Sequence, residues 1–148
     1  MSQVHSIQFV GRSRFLDQPK RDRLRKLLNI LAKDRRYEID ALIYVHQNDE
    51  ELLVLNQSSL DHNTYTDIIT FDLSDTQGRI DGEIYISVER IRENAKTFGV
   101  PFEEEYVRVA SHGLLHLLGY NDKTKEEKTA MREAENQAIQ LYQKYSST

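Results

Sequence analysis

The stretch from Ser111 to Asp122, which reads SHGLLHLLGYND, constrains this chain more than any other. Its two histidines, His112 and His116, are four residues apart, so a helix would present both on one face, one turn apart. Gly119 then favours an end to that helix, and Asp122 follows six residues after the second histidine. The spacing therefore predicts a helix that ends beside two imidazoles and a carboxylate.

These three side chains form a candidate metal site. Two neutral imidazoles and one carboxylate leave a fourth position for water, which distinguishes catalytic zinc sites from closed structural ones. Asp122 could instead cap the following helix, but Thr124 and Glu127 already form a capping-box pattern there. We therefore predict His112, His116 and Asp122 as metal ligands, and we count the two histidines as catalytic residues.

Composition limits the chemistry of this site and the class of protein. The 148 residues are enough for one domain with a substantial core, which we expect to span residues 1–148. The chain has no cysteine, so any metal must be held by histidine and oxygen ligands. No run approaches the roughly 18 apolar residues of a membrane span, and the N-terminus lacks the layout of a signal peptide. We therefore expect no membrane partner and a cytoplasmic location.

The net charge of −4 is unevenly distributed along the chain. Residues 12–36 carry ten Lys and Arg against three Asp, whereas the other residues carry ten against twenty-one Asp and Glu. A basic segment of this kind could face a polyanion. A solvated helix surface also explains it, and charge alone favours that second explanation.

The hydrophobic pattern predicts an α/β chain of the α+β type. Four short apolar runs have the length of strands: 6–10, 39–45, 67–73 and 82–87. The last two runs, joined across Gly78, predict an antiparallel hairpin. Five segments have helical spacing or helix-end signals: about 19–33, 48–55, 91–98, 101–119 and 125–145. Residues 56–66 are predicted to form a polar connection. We expect a single compact domain in which a four-stranded mixed sheet packs with about five helices. A central helix should end at the metal site.

The predicted site indicates hydrolysis in which a metal-bound water is the nucleophile or the general base. In zinc peptidases with the HExxH motif, the residue after the first histidine is a glutamate that acts as general base. Here that residue is Gly113, which has no acid–base group and instead permits close packing or close approach of another backbone or of substrate. A metallopeptidase-like hydrolase is therefore disfavoured relative to a nuclease.

Residues 112–120, HGLLHLLGY, resemble the signature of the YbeY family of bacterial endoribonucleases. Leu55-Asn56 and residues 66–71 are similar to the family's central segment, and residues 82–87 to its next strand. The resemblance implies a single-strand-specific, zinc-dependent endoribonuclease that matures rRNA, including the 3′ end of 16S rRNA, and takes part in ribosome quality control. It also implies one zinc ion per chain, an rRNA precursor as substrate and the ribosome or its small subunit as partner. His112 and His116 match the family's first two metal ligands.

Two positions depart from the family pattern. The family usually has a histidine as third ligand where this chain has Asp122, so we expect a less acidic metal-bound water and a wider metal preference, towards manganese or nickel as well as zinc. Leu60 stands where the family commonly carries an arginine that engages RNA phosphate. His62, Arg79, Arg108 or the basic first helix could take that role, or the chain lacks it. A ribosome-associated maturation factor with a structural metal therefore stays as an alternative.

Overall fold

A mixed sheet lies at the centre of the protein, whose computed structural model describes residues 6–11, 16–60 and 67–145. The described residues form four strands: β1 (Ile7–Val10), β2 (Glu38–Gln47), β3 (Ile68–Asp72) and β4 (Arg79–Ser87). Their order across the sheet is β1-β2-β4-β3; β1, β2 and β4 are parallel, and β3 is antiparallel to β4. The predicted mixed sheet and hairpin are confirmed.

The described residues also contain five helices: α1 (Gln18–Asp34), α2 (Asp49–Leu60), α3 (Val88–Phe98), α4 (Phe102–Leu117) and α5 (Lys125–Tyr145). Their ends follow from local sequence. Gly99 adopts φ 67° after α3, a left-handed conformation that glycine accepts without strain. The predicted capping box begins α5: the Thr124 amide donates to Glu127 Oε1 at 2.9 Å, and the Glu127 amide donates to Thr124 Oγ1 at 3.1 Å. The α+β class is therefore confirmed.

The polar connection predicted for residues 56–66 is wrong in its first part. Helix α2 continues to Leu60, and Asn56 is buried within it with 2% of its surface exposed. Tertiary packing overrides the modest helix propensity of such polar residues. Residues 61–66, with His62, and the side chain of Leu60 lie outside the described part of the chain. So do Arg12 and Arg14 of the basic segment.

Helix α4 packs directly onto β3 and β4, and Gly113 makes this close packing possible. A Cβ atom at Gly113 would lie 2.9 Å from Cδ1 of both Ile68 and Ile84, closer than carbon atoms normally pack. Ile84 is fully buried, so little space is available for it to move aside. The glycine after the first histidine therefore serves packing. None of the helices in the described ranges is both long and apolar enough to cross a bilayer.

A buried pair joins β2 to α4 inside the core. His46 Nε2 lies 2.6 Å from the hydroxyl of Tyr106, and the two residues are 7% and 1% exposed. Burial, with a smaller contribution from Arg21, lowers the pKa of His46 from 6.5 to about 4. The folded protein therefore keeps this histidine neutral at pH values where the unfolded chain protonates it.

We expect stability to fall as the pH decreases from 6.5 to about 4. In that window the unfolded chain binds a proton at His46 that the folded chain does not, which favours unfolding by at most roughly 3 kcal/mol. His46→Gln keeps a polar partner for Tyr106 and does not titrate. Urea unfolding at several pH values should show the stability difference between native protein and variant shrinking with acidification; a constant difference would contradict this.

Candidate metal centre

The turn after α4 brings the first and last predicted ligands together. Helix α4 ends at Leu117, and Gly119 reverses the chain with φ 104° while the Tyr120 amide donates to the carbonyl oxygen of Leu115 at 3.0 Å. Asp122 then returns alongside the helix. Its Oδ2 lies 3.4 Å from Nε2 of His112.

This separation fits two ligands of one metal ion. In a tetrahedral zinc site with metal–ligand distances of about 2.0–2.2 Å, two ligand atoms lie roughly 3.4 Å apart. The imidazole is half-buried and the carboxylate is partly exposed, so the pair is reachable from solvent. Neutral imidazole nitrogen and carboxylate oxygen are both ordinary zinc ligands, so the donor set also fits.

Glu135 of α5 holds the other side of the His112 ring. Its Oε2 lies 2.7 Å from His112 Nδ1, and the residue is 5% exposed. An ionised carboxylate only accepts hydrogen bonds, so Nδ1 donates and Nε2 is directed to Asp122. Arg108 and Arg132 bind Glu135 Oε1 through their Nη1 atoms at 3.1 and 3.4 Å. A carboxylate behind the imidazole is the usual outer partner of a metal-ligating histidine.

The charges in this network favour a cation between His112 and Asp122. The hydrogen bond to Glu135 raises the pKa of His112, against the opposing effect of burial. Burial acts to raise the pKa of Glu135, but hydrogen bonds from His112 and Arg108 outweigh it and leave that pKa lowered. Glu135 is therefore ionised. The carboxylates of Glu135 and Asp122 both stabilise a positive charge on the His112 ring, and a metal at Nε2 would replace the proton that otherwise carries that charge.

His116 lies one turn further along α4, as predicted, but its side chain is exposed. Its imidazole makes no hydrogen bond or ion pair with another residue of the described ranges, although its carbonyl oxygen accepts from the Gly119 amide at 3.1 Å. Within those ranges, no three His, Asp or Glu side chains are gathered closely enough to hold a metal ion. The structure thus brings His112 and Asp122 together, and the assignment of His116 as a ligand stays a prediction.

His112 also lines a cleft of about 230 Å³ formed by α3, α4, α5 and the start of β3. The other lining residues are Asp67, Ile68, Asn94, Phe98, Glu105, Arg108, Val109, Arg132 and Glu135. Burial raises the pKa of both Asp67 and Glu105. Acidic groups with shifted pKa values in a cleft are typical of functional sites, so the cleft and the histidine belong to one candidate site.

Sequence reasoning missed Glu135. No local motif links it to His112, because the two residues are 23 positions apart and on different helices. One signal was available: Glu135 lies four residues after Met131 and three before Ala138, on the stripe of α5 that is buried. A carboxylate on a buried stripe needs a polar partner, and here the partner is the candidate metal ligand.

The predicted substitutes for the missing arginine that lie in the described ranges pair with acidic groups of the protein itself. Three basic side chains pair with acidic ones: Arg79 with Glu38 and Asp40, Arg108 with Glu105 and Glu135, and Arg23 of α1 with Glu103. Lys20 of α1 also lies 3.5 Å from Glu103. These contacts favour intramolecular and solvent roles for the basic segment over a dedicated polyanion surface.

The fold and the site define a class: small α+β proteins in which a helix-borne histidine–carboxylate pair opens onto a cleft. The family model described as Endoribonuclease YbeY matches residues 12–143. The chain belongs to this family.

Relatives named Endoribonuclease YbeY match most of the chain. The protein from Cytophaga hutchinsonii is 46% identical over 122 residues, covering 82% of this chain and 85% of the relative. The one from Christiangramia forsetii is 38% identical over 137 residues, covering 92% and 94%. The solution structure of TM1509 from Thermotoga maritima matches with a TM-score of 0.67 and 26% identity, covering 95% of this chain and 92% of that one.

Replacing Glu135 with Gln should weaken zinc binding by about 10–100-fold, because the amide holds the His112 ring less firmly and supplies no negative charge. Chelator competition measures the dissociation constant. Glu133→Gln, on the exposed side of the same helix, is the matched control and should leave the zinc dissociation constant unchanged. Equal zinc affinity in Glu135→Gln and the native protein would contradict the assigned role.

Proposed function

We propose that the protein is a single-strand-specific, zinc-dependent endoribonuclease. It acts in the cytoplasm on rRNA precursors, and its products include the mature 3′ end of 16S rRNA. In association with the small subunit, it also contributes to ribosome quality control. Its metal ligands are His112, His116 and Asp122, and the two histidines are catalytic. Membership of the Endoribonuclease YbeY family supports the reaction class. The observation that carries the proposal is the position of His112 between Glu135 and Asp122, inside the family's signature segment.

The residues of the site have separable roles in this proposal. Glu135 fixes the tautomer and the orientation of His112, so that Nε2 faces Asp122 and would be free to hold a cation. Asp122 supplies the carboxylate, and His116 completes the set from the next turn of α4. A bound divalent cation supplies Lewis acidity towards a phosphoryl oxygen and lowers the pKa of water. The cleft that His112 lines gives the RNA strand a place to lie beside this ligand.

Gly113 supports this proposal over a metallopeptidase. A peptidase of the HExxH kind needs a glutamate at this position as general base. Here a side chain would collide with Ile68 and Ile84 of the sheet, so the position is used for packing. Phosphodiester cleavage in RNA does not depend on a base at that position, because the substrate's own 2′-hydroxyl is an available nucleophile.

Cleavage of a labelled single-stranded RNA by metal-stripped, zinc-reloaded protein tests the proposal. Native protein should cleave only when zinc is present, and His116→Ala should lose roughly 100-fold or more in rate, as expected for loss of a metal ligand. His116 is exposed, so this variant should keep its fold.

Glu126→Gln, an exposed position on the same helix that lines neither the cleft nor the depression along α5, is the control; purified in the same way, it should cleave like the native protein. Equal cleavage by the native protein and His116→Ala would point to a contaminating nuclease. Stoichiometric zinc binding without cleavage by the native protein would overturn the nuclease assignment in favour of a maturation factor with a structural metal.

A further inference from the structure

An exposed aromatic ring stands at the cleft that contains His112. The strongly exposed large apolar side chains in the described ranges are Val10, Val54, Leu73 and Phe98. Phe98, the aromatic one, is 56% exposed at the end of α3 and also lines the cleft, so it lies at the cleft mouth. Single-stranded RNA is commonly bound by stacking of its unpaired bases on such rings.

The inner part of the cleft combines apolar walls with hydrogen-bond acceptors. Ile68 and Val109 provide apolar surface, and Asp67 and Glu105 provide carboxylate oxygens. Asp67 Oδ2 accepts a hydrogen bond from Asn94 Nδ2 at 3.3 Å, and a carboxylate can accept several hydrogen bonds. A flat group with an N–H edge suits this lining. A phosphate suits it less well, because it would face the carboxylates of Asp67 and Glu105. The two arginines that line the cleft, Arg108 and Arg132, are already paired with Glu135.

Further basic residues lie beyond the cleft, along α5. Arg132 lines the cleft and also a larger, shallow depression along α5. The depression is lined by Lys125, Lys128 and Thr129 as well, with Glu133 as its one acidic lining residue in the part of the chain described. Phosphate groups of a strand that leaves the cleft would therefore meet cations there.

We propose that the cleft binds one nucleobase of the RNA strand, stacked on Phe98 with an N–H edge towards Asp67 and Glu105, while the adjoining phosphates follow Arg132 and Lys128. This subsite rests on the proposed nuclease function and gives it a substrate preference. Cytosine carries an exocyclic amino group that both acids can accept from, whereas uracil presents a carbonyl oxygen at that position and would repel them. The cleft should therefore prefer cytosine to uracil, two bases of similar size.

Binding of short labelled oligocytidylate and oligouridylate to metal-free protein tests this directly. Native protein should bind oligocytidylate several-fold more tightly. Phe98→Ala should weaken oligocytidylate binding by about 5- to 150-fold, the equivalent of a lost stacking contact of about 1–3 kcal/mol. Phe98→Tyr, which keeps the ring, should bind within about twofold of native protein, because either ring can stack. Val54→Ala, which removes an equally exposed apolar side chain on α2, should bind as native protein does.

Steady-state cleavage by the zinc-loaded protein separates this subsite from the reaction centre. Phe98→Ala should raise KM much more than it lowers kcat, because it removes binding and leaves the metal ligands in place. The subsite would be overturned if Phe98→Ala had unchanged affinity and KM, or if native protein bound the two oligonucleotides equally. The nuclease function would still stand in that case, provided that native protein cleaves RNA. Absence of both binding and cleavage in native protein would overturn the two together.

Discussion

The hydrogen bond between His112 Nδ1 and Glu135 is the interaction on which the candidate site depends. Glu135 is nearly fully buried, and a buried carboxylate without partners is destabilising by several kcal/mol. Arg108 and His112 provide those partners, so the charge that orients the imidazole also ties α4 to α5. The orientation of Nε2 towards Asp122 is therefore a result of core packing as well as of the local turn.

The sheet sets where α4 can place its histidines. Gly113 allows the helix to lie directly on Ile68 and Ile84, which fixes its rotation and turns the neighbouring His112 towards the cleft. The turn at Gly119 then brings Asp122 back to the same side, and the capping box of α5 starts the helix that carries Glu135. The close packing at Gly113, the turn at Gly119 and the start of α5 thus place the His112 imidazole between the carboxylates of Asp122 and Glu135.

Much of this arrangement could be predicted because its signals are local. The strands, the end of α3 at Gly99, the span of α5 and the return of Asp122 to His112 all follow from short-range periodicity, caps and turns. The extension of α2 to Leu60 could not be predicted, because tertiary packing, which the sequence does not display, overrides its polar residues. Glu135 was missed for a related reason: its partner is distant in sequence, and only the fold brings the two helices together.

X-ray absorption spectroscopy of the protein loaded with one equivalent of zinc tests the central claim most directly. The account predicts two imidazole ligands with nitrogen atoms at about 2.0–2.1 Å, together with oxygen ligands. His112→Ala should reduce the imidazole count to one. Zinc bound without imidazole ligands, or an unchanged imidazole count in His112→Ala, would contradict the placement of the metal at this end of α4.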